Sequence, residues 1–366
     1  MSGTIPPELL SVHVLVCLGA GGVGKTTLSA ALAVKAAMAG QRVDVMTVDP
    51  APRLLDALGL DAQDAAEPRE VALTDVQGRP TPRVGRLRAL RLDPKRTFDT
   101  IIARHASSPA AAAAILNNRI YRNLSQALAG VGDYMAIERL LELSDGPTTD
   151  LVVLDTPPAR EALDFLDAPR RLLDLINSRA ITLLGGGMRR GLGVVDLAAR
   201  AVLAAFDRLT GLHLLGDVQA FVHSFEGMYA GFAERAERAR TLLGAADTAV
   251  AVIATAKQER IAQIKEFISE LSACGITTRA VIVNRTLPVM PTAEEIARAR
   301  IKPPLRRKLV RTAHEFAAVR QRETDAIAAL RAALPAGVPL LKLPDLGREP
   351  ATLADLAAIG EALTIL

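Results

Sequence analysis

Residues 19–27 read Gly19-Ala20-Gly21-Gly22-Val23-Gly24-Lys25-Thr26-Thr27, with the apolar run VHVLVCL before them and LSAALAVKAAMA after them. A strand, a glycine-rich turn and a helix start in that order make a phosphate-binding loop. The spacing G-x-x-x-x-G-K-T is carried by Gly19, Gly24, Lys25 and Thr26. Its glycines let the backbone N–H groups of Gly21, Gly22, Val23, Gly24, Lys25, Thr26 and Thr27 turn inward around phosphate oxygens. The helix that follows points its positive end at the same anion. Lys25 is placed to reach the β- and γ-phosphates of ATP, or the β-phosphate of ADP, and the Thr26 hydroxyl to ligate Mg²⁺.

Working outward, the chain alternates strands with helices, as a doubly wound, mostly parallel α/β sheet requires. Continuous apolar runs mark its strands, because helices cover both faces. After the first, the candidate strands are VDVMTVDP (43–50), RLRALRLD (86–93), LVVLDTPP (151–158), TAVAVIAT (248–255), RAVIVNR (279–285) and PLLKLPD (339–345), with LVVLDTPP the clearest buried one. Ligands of such sheets gather at the carboxyl ends of the strands, where Asp49, Asp155, Asn284 and Pro344 fall. Asp49 is placed to orient or activate an attacking water. Asp155 is placed to hold Mg²⁺ through water.

Two stretches, about 97–145 and 170–243, break this rhythm with helical patterns, and the second carries glycines, methionine and phenylalanines suited to an apolar subdomain. They read as a helical lid, with an exposed groove for apolar segments as the other reading. The segment RARIKPPLRRKLVR (298–311) holds seven basic residues and no acidic one. It has no interleaved aromatics, and Pro303-Pro304 is expected to break any long basic helix, so it reads as a solvated surface or partner contact. The net charge of +4 gives no reason to expect nucleic acid. Cys17 and Cys274 are too far apart in sequence for a CxxC clamp, and the scattered histidines have no ligand spacing, so no zinc site is expected. The first residues lack a signal peptide's regions, and no uncharged apolar run approaches the ~20 residues of a transmembrane segment, so a cytoplasmic location is expected.

The motifs GGVGKTT, VDPAPRLLDALG, LVVLDTPPAREALDFL and VIVNRTLP, in this order, resemble the ArsA/GET group. These are the arsenical-pump ATPases and the targeting ATPases for tail-anchored membrane proteins, within the P-loop NTPase class of MinD, ParA and nitrogenase iron protein. The resemblance spans nearly the whole chain and implies one ATPase domain, 1–366, whose helical subdomain is formed by the two insertions. It implies a dimer that ATP opens and closes, with Asp49 in a first switch as the water-activating carboxylate and Asp155 in a second. Asn284 and the Pro344 segment would cradle the adenine, and a hydrophobic helical client becomes a candidate cargo.

The sequence also departs from the group. The usual loop begins GKGG, with a signature lysine that reaches the partner's nucleotide, and here that place holds Ala20. The first switch, usually DPAH, has Pro52 at its histidine. The second, usually DTAPTGH, reads DTPPARE, with Arg160 and Glu161 at its last two places. The zinc-binding and metalloid-binding cysteines of the group have no counterparts. Without the trans cation, slow hydrolysis is expected unless Arg160 compensates or a paralogue in a heterodimer supplies the lysine. A homodimer, a heterodimer, a slow nucleotide-gated carrier of apolar helices and a weakly active regulatory subunit all stay open at this point.

Overall fold

The computed structural model describes residues 5–61, 66–74, 85–119, 121–122, 129–157, 166–176, 228–257 and 261–366. Arg160, Glu161 and most of the second insertion lie outside the described residues. The chain divides into two compact units. The first comprises Met1–Arg91, Gly146–Leu163 and Ala246–Leu366; the second comprises Leu92–Asp145 and Asp164–Ala245.

In the first unit the strands run, in chain order, β1 (Val14–Gly19), β2 (Arg42–Thr47), β3 (Arg69–Glu70), β4 (Arg86–Arg91), β5 (Leu151–Asp155), β6 (Thr248–Thr255), β7 (Thr278–Thr286), β8 (Leu340–Pro344) and β9 (Thr364–Ile365). They form a single sheet in the order β3-β4-β2-β5-β1-β6-β7-β8-β9. All pairings are parallel except β3 with β4 and β8 with β9 at the two margins. Every residue of β1 and β5 is buried, which accounts for their unbroken apolar sequence. β1 lies between β5 and β6, with Val14 opposite Val152 on one side and Thr248 on the other. The chain therefore leaves β1 toward one margin through β2 and later toward the other through β6 to β8. That reversal opens a crevice at the carboxyl end of β1.

β4 shows how a strand of alternating arginines is buried. Arg88 forms a two-pronged bond to Asp44 of β2, Nε to Oδ1 at 2.7 Å and Nη2 to Oδ2 at 2.6 Å, and Thr149 donates to the same carboxylate at 2.8 Å. Asp44 is fully buried, so this pairing is what makes its charge tolerable inside the sheet. The helix after the phosphate-binding loop, Lys25–Met38, packs on the helix Leu353–Ala362. At their contact a Cβ on Gly360 would come within 3.2 Å of the Lys35 Cβ, so glycine permits the close approach.

In the second unit the described elements include the helices Pro94–His105, Pro109–Asn117, Ala129–Ser144, Ala168–Ile176 and Tyr229–Leu243. Asp93 and Ser108 cap the first two by accepting from Arg96 N and Ala111 N. Aromatics concentrate here. Phe98 meets Tyr121 edge-on at 5.1 Å between centroids and Phe232 at 6.2 Å. Buried Glu138 is paired with Arg235 and accepts from the Tyr134 hydroxyl.

Two sequence expectations change. β3 and β9 add to the expected strands: each is two residues long, Arg-Glu and Thr-Ile, too short for any periodicity to show. Pro303 and Pro304 do not break a helix but begin one, the long helix Pro303–Ala333, in whose first turn a missing N–H costs nothing. Arg306, Arg307, Lys308 and Arg311 are thus helical, and no residue of that helix is buried before Ala326.

Candidate functional site

The loop is built by exclusion of side chains. A Cβ on Gly19 would overlap the Ile253 carbonyl oxygen of β6, so only glycine lets β1 end so close to its neighbour. Gly22 and Gly24 take φ of +75° and +91°, the left-handed region where glycine is unstrained. Gly24 caps the helix Lys25–Met38 without a side chain, leaving the helix N-terminus open to an anion. A Cβ on Gly24 would also strike the Asn284 amide, which donates to the Val23 carbonyl at 2.7 Å. Asn284 lies in β7, just before Arg285, whose φ of +56° accompanies a register shift against β8. The loop is thereby tied to the end of β7.

The chemistry-bearing side chains converge below and beside this loop. Lys25 is buried, with Nζ on the Ala20 carbonyl at 3.1 Å. Asp155 ends β5, in register with Cys17 of β1 and Thr47 of β2. Its Oδ2 accepts from the Thr26 hydroxyl at 2.8 Å and the Thr47 hydroxyl at 2.9 Å. Its Oδ1 is buried and has no hydrogen-bond partner. Burial pushes the Asp155 carboxyl up from 3.8 to about 6, against the hydroxyl bonds and nearby Lys25, while Asp49 pushes the same way as burial. Asp49 stands two residues beyond β2, where its Oδ1 accepts from Ala51 N at 2.9 Å and its N–H donates to Thr47 Oγ1 at 3.2 Å.

A cleft of about 860 Å³ opens over these groups, within the size of ordinary ligand sites. Gly21, Gly22, Gly24, Lys25, Thr26, Thr27 and Asp49 line it. Val23, Asn284 and Asp155 are buried and hold the loop and its threonine in place. Pro344 ends β8 and is not in the wall; the segment that follows it supplies Glu349, Pro350 and Ala351. Sequence reasoning missed three contributors. Thr47 is recognisable only once β2 and β5 are known to be neighbours. Arg285 requires the bulge in β7. Arg53 had a signal, since it follows Asp49 by four residues on a helix start. Its Nη1 lies 3.9 Å from Asp49 Oδ2.

The arrangement suits a magnesium–nucleotide complex. The Thr26 hydroxyl donates a hydrogen bond to Asp155 and keeps its lone pairs for a cation, and Asp155 Oδ1 is an orphaned buried acceptor that a metal-bound water would satisfy. Among the described residues no helix is long and apolar enough to cross a membrane.

Comparison with known proteins follows the same line. The family model for anion-transporting ATPases (ArsA_ATPase) matches residues 12–312. An uncharacterized protein of Streptomyces coelicolor is 28% identical over 281 residues, covering 76% of this chain and 63% of that protein. The ATPase GET3 of Malassezia globosa is 25% identical over 300 residues, 82% of this chain and 80% of that one. The ATPase get3 of Aspergillus terreus is 29% identical over 152 residues, 41% of each chain. The matches thus span less than two thirds of the length of the Streptomyces and Aspergillus relatives.

Proposed function

Because the chain belongs to the anion-transporting ATPase family, we propose that it binds Mg-ATP and hydrolyses the β–γ bond by in-line attack of water. The observation that carries this reading is the Thr26–Asp155–Thr47 cluster beneath the loop, with its unpartnered carboxylate oxygen. In the proposed complex the loop N–H groups of Gly21 to Thr27 and the Lys25 ammonium hold the phosphates. Thr26 and, through water, Asp155 hold Mg²⁺, which when bound neutralises charge on the β- and γ-phosphates. Asp49 orients the attacking water from the mouth of the same cleft. Asn284 fixes the loop through Val23 and, with the Pro344 segment, stands at the adenine end.

Turnover in this reading drives a rearrangement of a dimer and of the helical subdomain formed by the insertions. Ala20 favours a second reading, in which turnover is slow and the chain serves as a nucleotide-gated carrier of hydrophobic helices or as the weaker subunit of a heterodimer with a paralogue. Both readings require nucleotide binding through Lys25. Calorimetry with ATP and Mg²⁺ should show Lys25→Ala weakening affinity by about 10- to 100-fold, the worth of a charge-assisted phosphate contact. Unchanged affinity in the folded variant would overturn the proposed site.

A further inference from the structure

We propose that Arg53 is a catalytic cation supplied within the chain, which contacts the γ-phosphoryl group during transfer and takes over the task that Ala20 leaves vacant. The assignment rests on the proposed ATP hydrolysis. Arg53 opens the short helix Arg53–Ala57, directly after the turn that Asp49 makes with Ala51. It borders the same cleft as Gly21, Lys25, Thr26 and Asp49. Its guanidinium pairs with Asp49 at 3.9 Å, and its side chain is 74% exposed toward solvent. An exposed ion pair this long contributes little to folding. The arginine therefore has no packing duty that would hold it away from a phosphate.

Charge decides where it goes. In the structure the ion-pair partner of Arg53 is the Asp49 carboxylate. A γ-phosphate brought in beside Lys25 and Thr26 is a stronger acceptor and matches the planar guanidinium with two parallel N–H bonds. Transfer to that acceptor also frees Asp49 to take its hydrogen bond from water. In the step itself the water oxygen bonds to the γ-phosphorus. The bond to the β–γ bridging oxygen breaks with its electron pair going to ADP. The proton lost by the water passes through Asp49 to the inorganic phosphate formed. Negative charge spreads over the γ-phosphoryl oxygens, and a cation fixed there stabilises it more than it stabilises bound ATP.

The test compares wild type, Arg53→Ala and Arg53→Lys by steady-state phosphate release, with calorimetric affinities for ADP alone and for ADP with aluminium fluoride, a mimic of the phosphoryl group in flight. Arg53→Ala should lower kcat at least ~10²-fold, the usual loss for one transition-state donor. ADP affinity should stay within about threefold, and aluminium fluoride should no longer tighten binding. Arg53→Lys should fall between. Ala20→Lys placed on Arg53→Ala should recover part of the rate. If wild type hydrolyses ATP and Arg53→Ala matches it, or if aluminium fluoride still tightens ADP binding in Arg53→Ala, the assignment fails while the ATPase reading stands. If wild type releases no more phosphate than Lys25→Ala, the reading and the assignment fall together.

Discussion

Asp155 carries a conflict that can be measured in nucleotide-free protein. Its carboxyl is held at about 6, against 3.8 for the ordinary group. The folded chain therefore takes up this proton more readily than the unfolded chain between pH 4 and 6. The contribution of this group to stability falls as pH rises across that window and is level above it. A gap of about 2 units corresponds to ~3 kcal/mol, of which ~2 kcal/mol is lost between pH 4.5 and pH 8. Asp155→Asn removes the charge but sets an amide N–H₂ near the unpartnered Oδ1 position, which costs about 1–3 kcal/mol at any pH. The two effects separate in urea unfolding with EDTA present. The stability of the variant relative to the parent should improve by ~2 kcal/mol on going from pH 4.5 to pH 8. A relative stability constant within about 0.5 kcal/mol at both pH values would refute the claim that the buried carboxylate is strained while it awaits a cation.

Two further outcomes follow from the same geometry. Asn284→Ala removes the bond to the buried Val23 carbonyl, so it should cost about 1–3 kcal/mol in thermal or urea unfolding and weaken nucleotide binding; unaltered stability and affinity would show the loop to be held from elsewhere. If nucleotide drives the helical subdomain, hydrogen exchange in its described helices, such as Pro94–His105 and Tyr229–Leu243, should differ between ADP and a non-hydrolysable ATP analogue. Identical protection in both states would leave a helical unit that does not respond to nucleotide.

The central strands were legible because β1, β5 and β6 are buried almost throughout and so read as apolar runs. β6 matches its sequence boundaries, whereas β2 and β5 stop at Thr47 and Asp155, short of the Asp49-Pro50 and Thr156-Pro157 pairs that follow. Even the arginine-rich β4 was recognisable, although only the fold shows Asp44 as the buried partner of Arg88. Prolines at 303 and 304 misled because the same residue that stops a helix interior starts a helix well. At the site, the phosphate-binding loop is a local motif and could be read locally. Thr47 beside Asp155, Asn284 against Val23 and Arg285 at the cleft depend on which strands are neighbours, information that no local pattern holds. Arg160, which the sequence offers as a substitute for the absent lysine, lies outside the described residues, whereas Arg53 borders the cleft.

The central claim is that this cleft cleaves ATP with Asp49 acting on the water. Its most direct measurement is phosphate release on mixing the protein with ATP and Mg²⁺, for wild type and Asp49→Asn, with ATP affinity measured in parallel. Asn keeps the shape of the side chain but does not accept a proton, so release should fall by ~10²- to 10⁴-fold while ATP binding changes little. Release in wild type that Asp49→Asn leaves unchanged, or bound ATP that neither protein cleaves, would contradict the account.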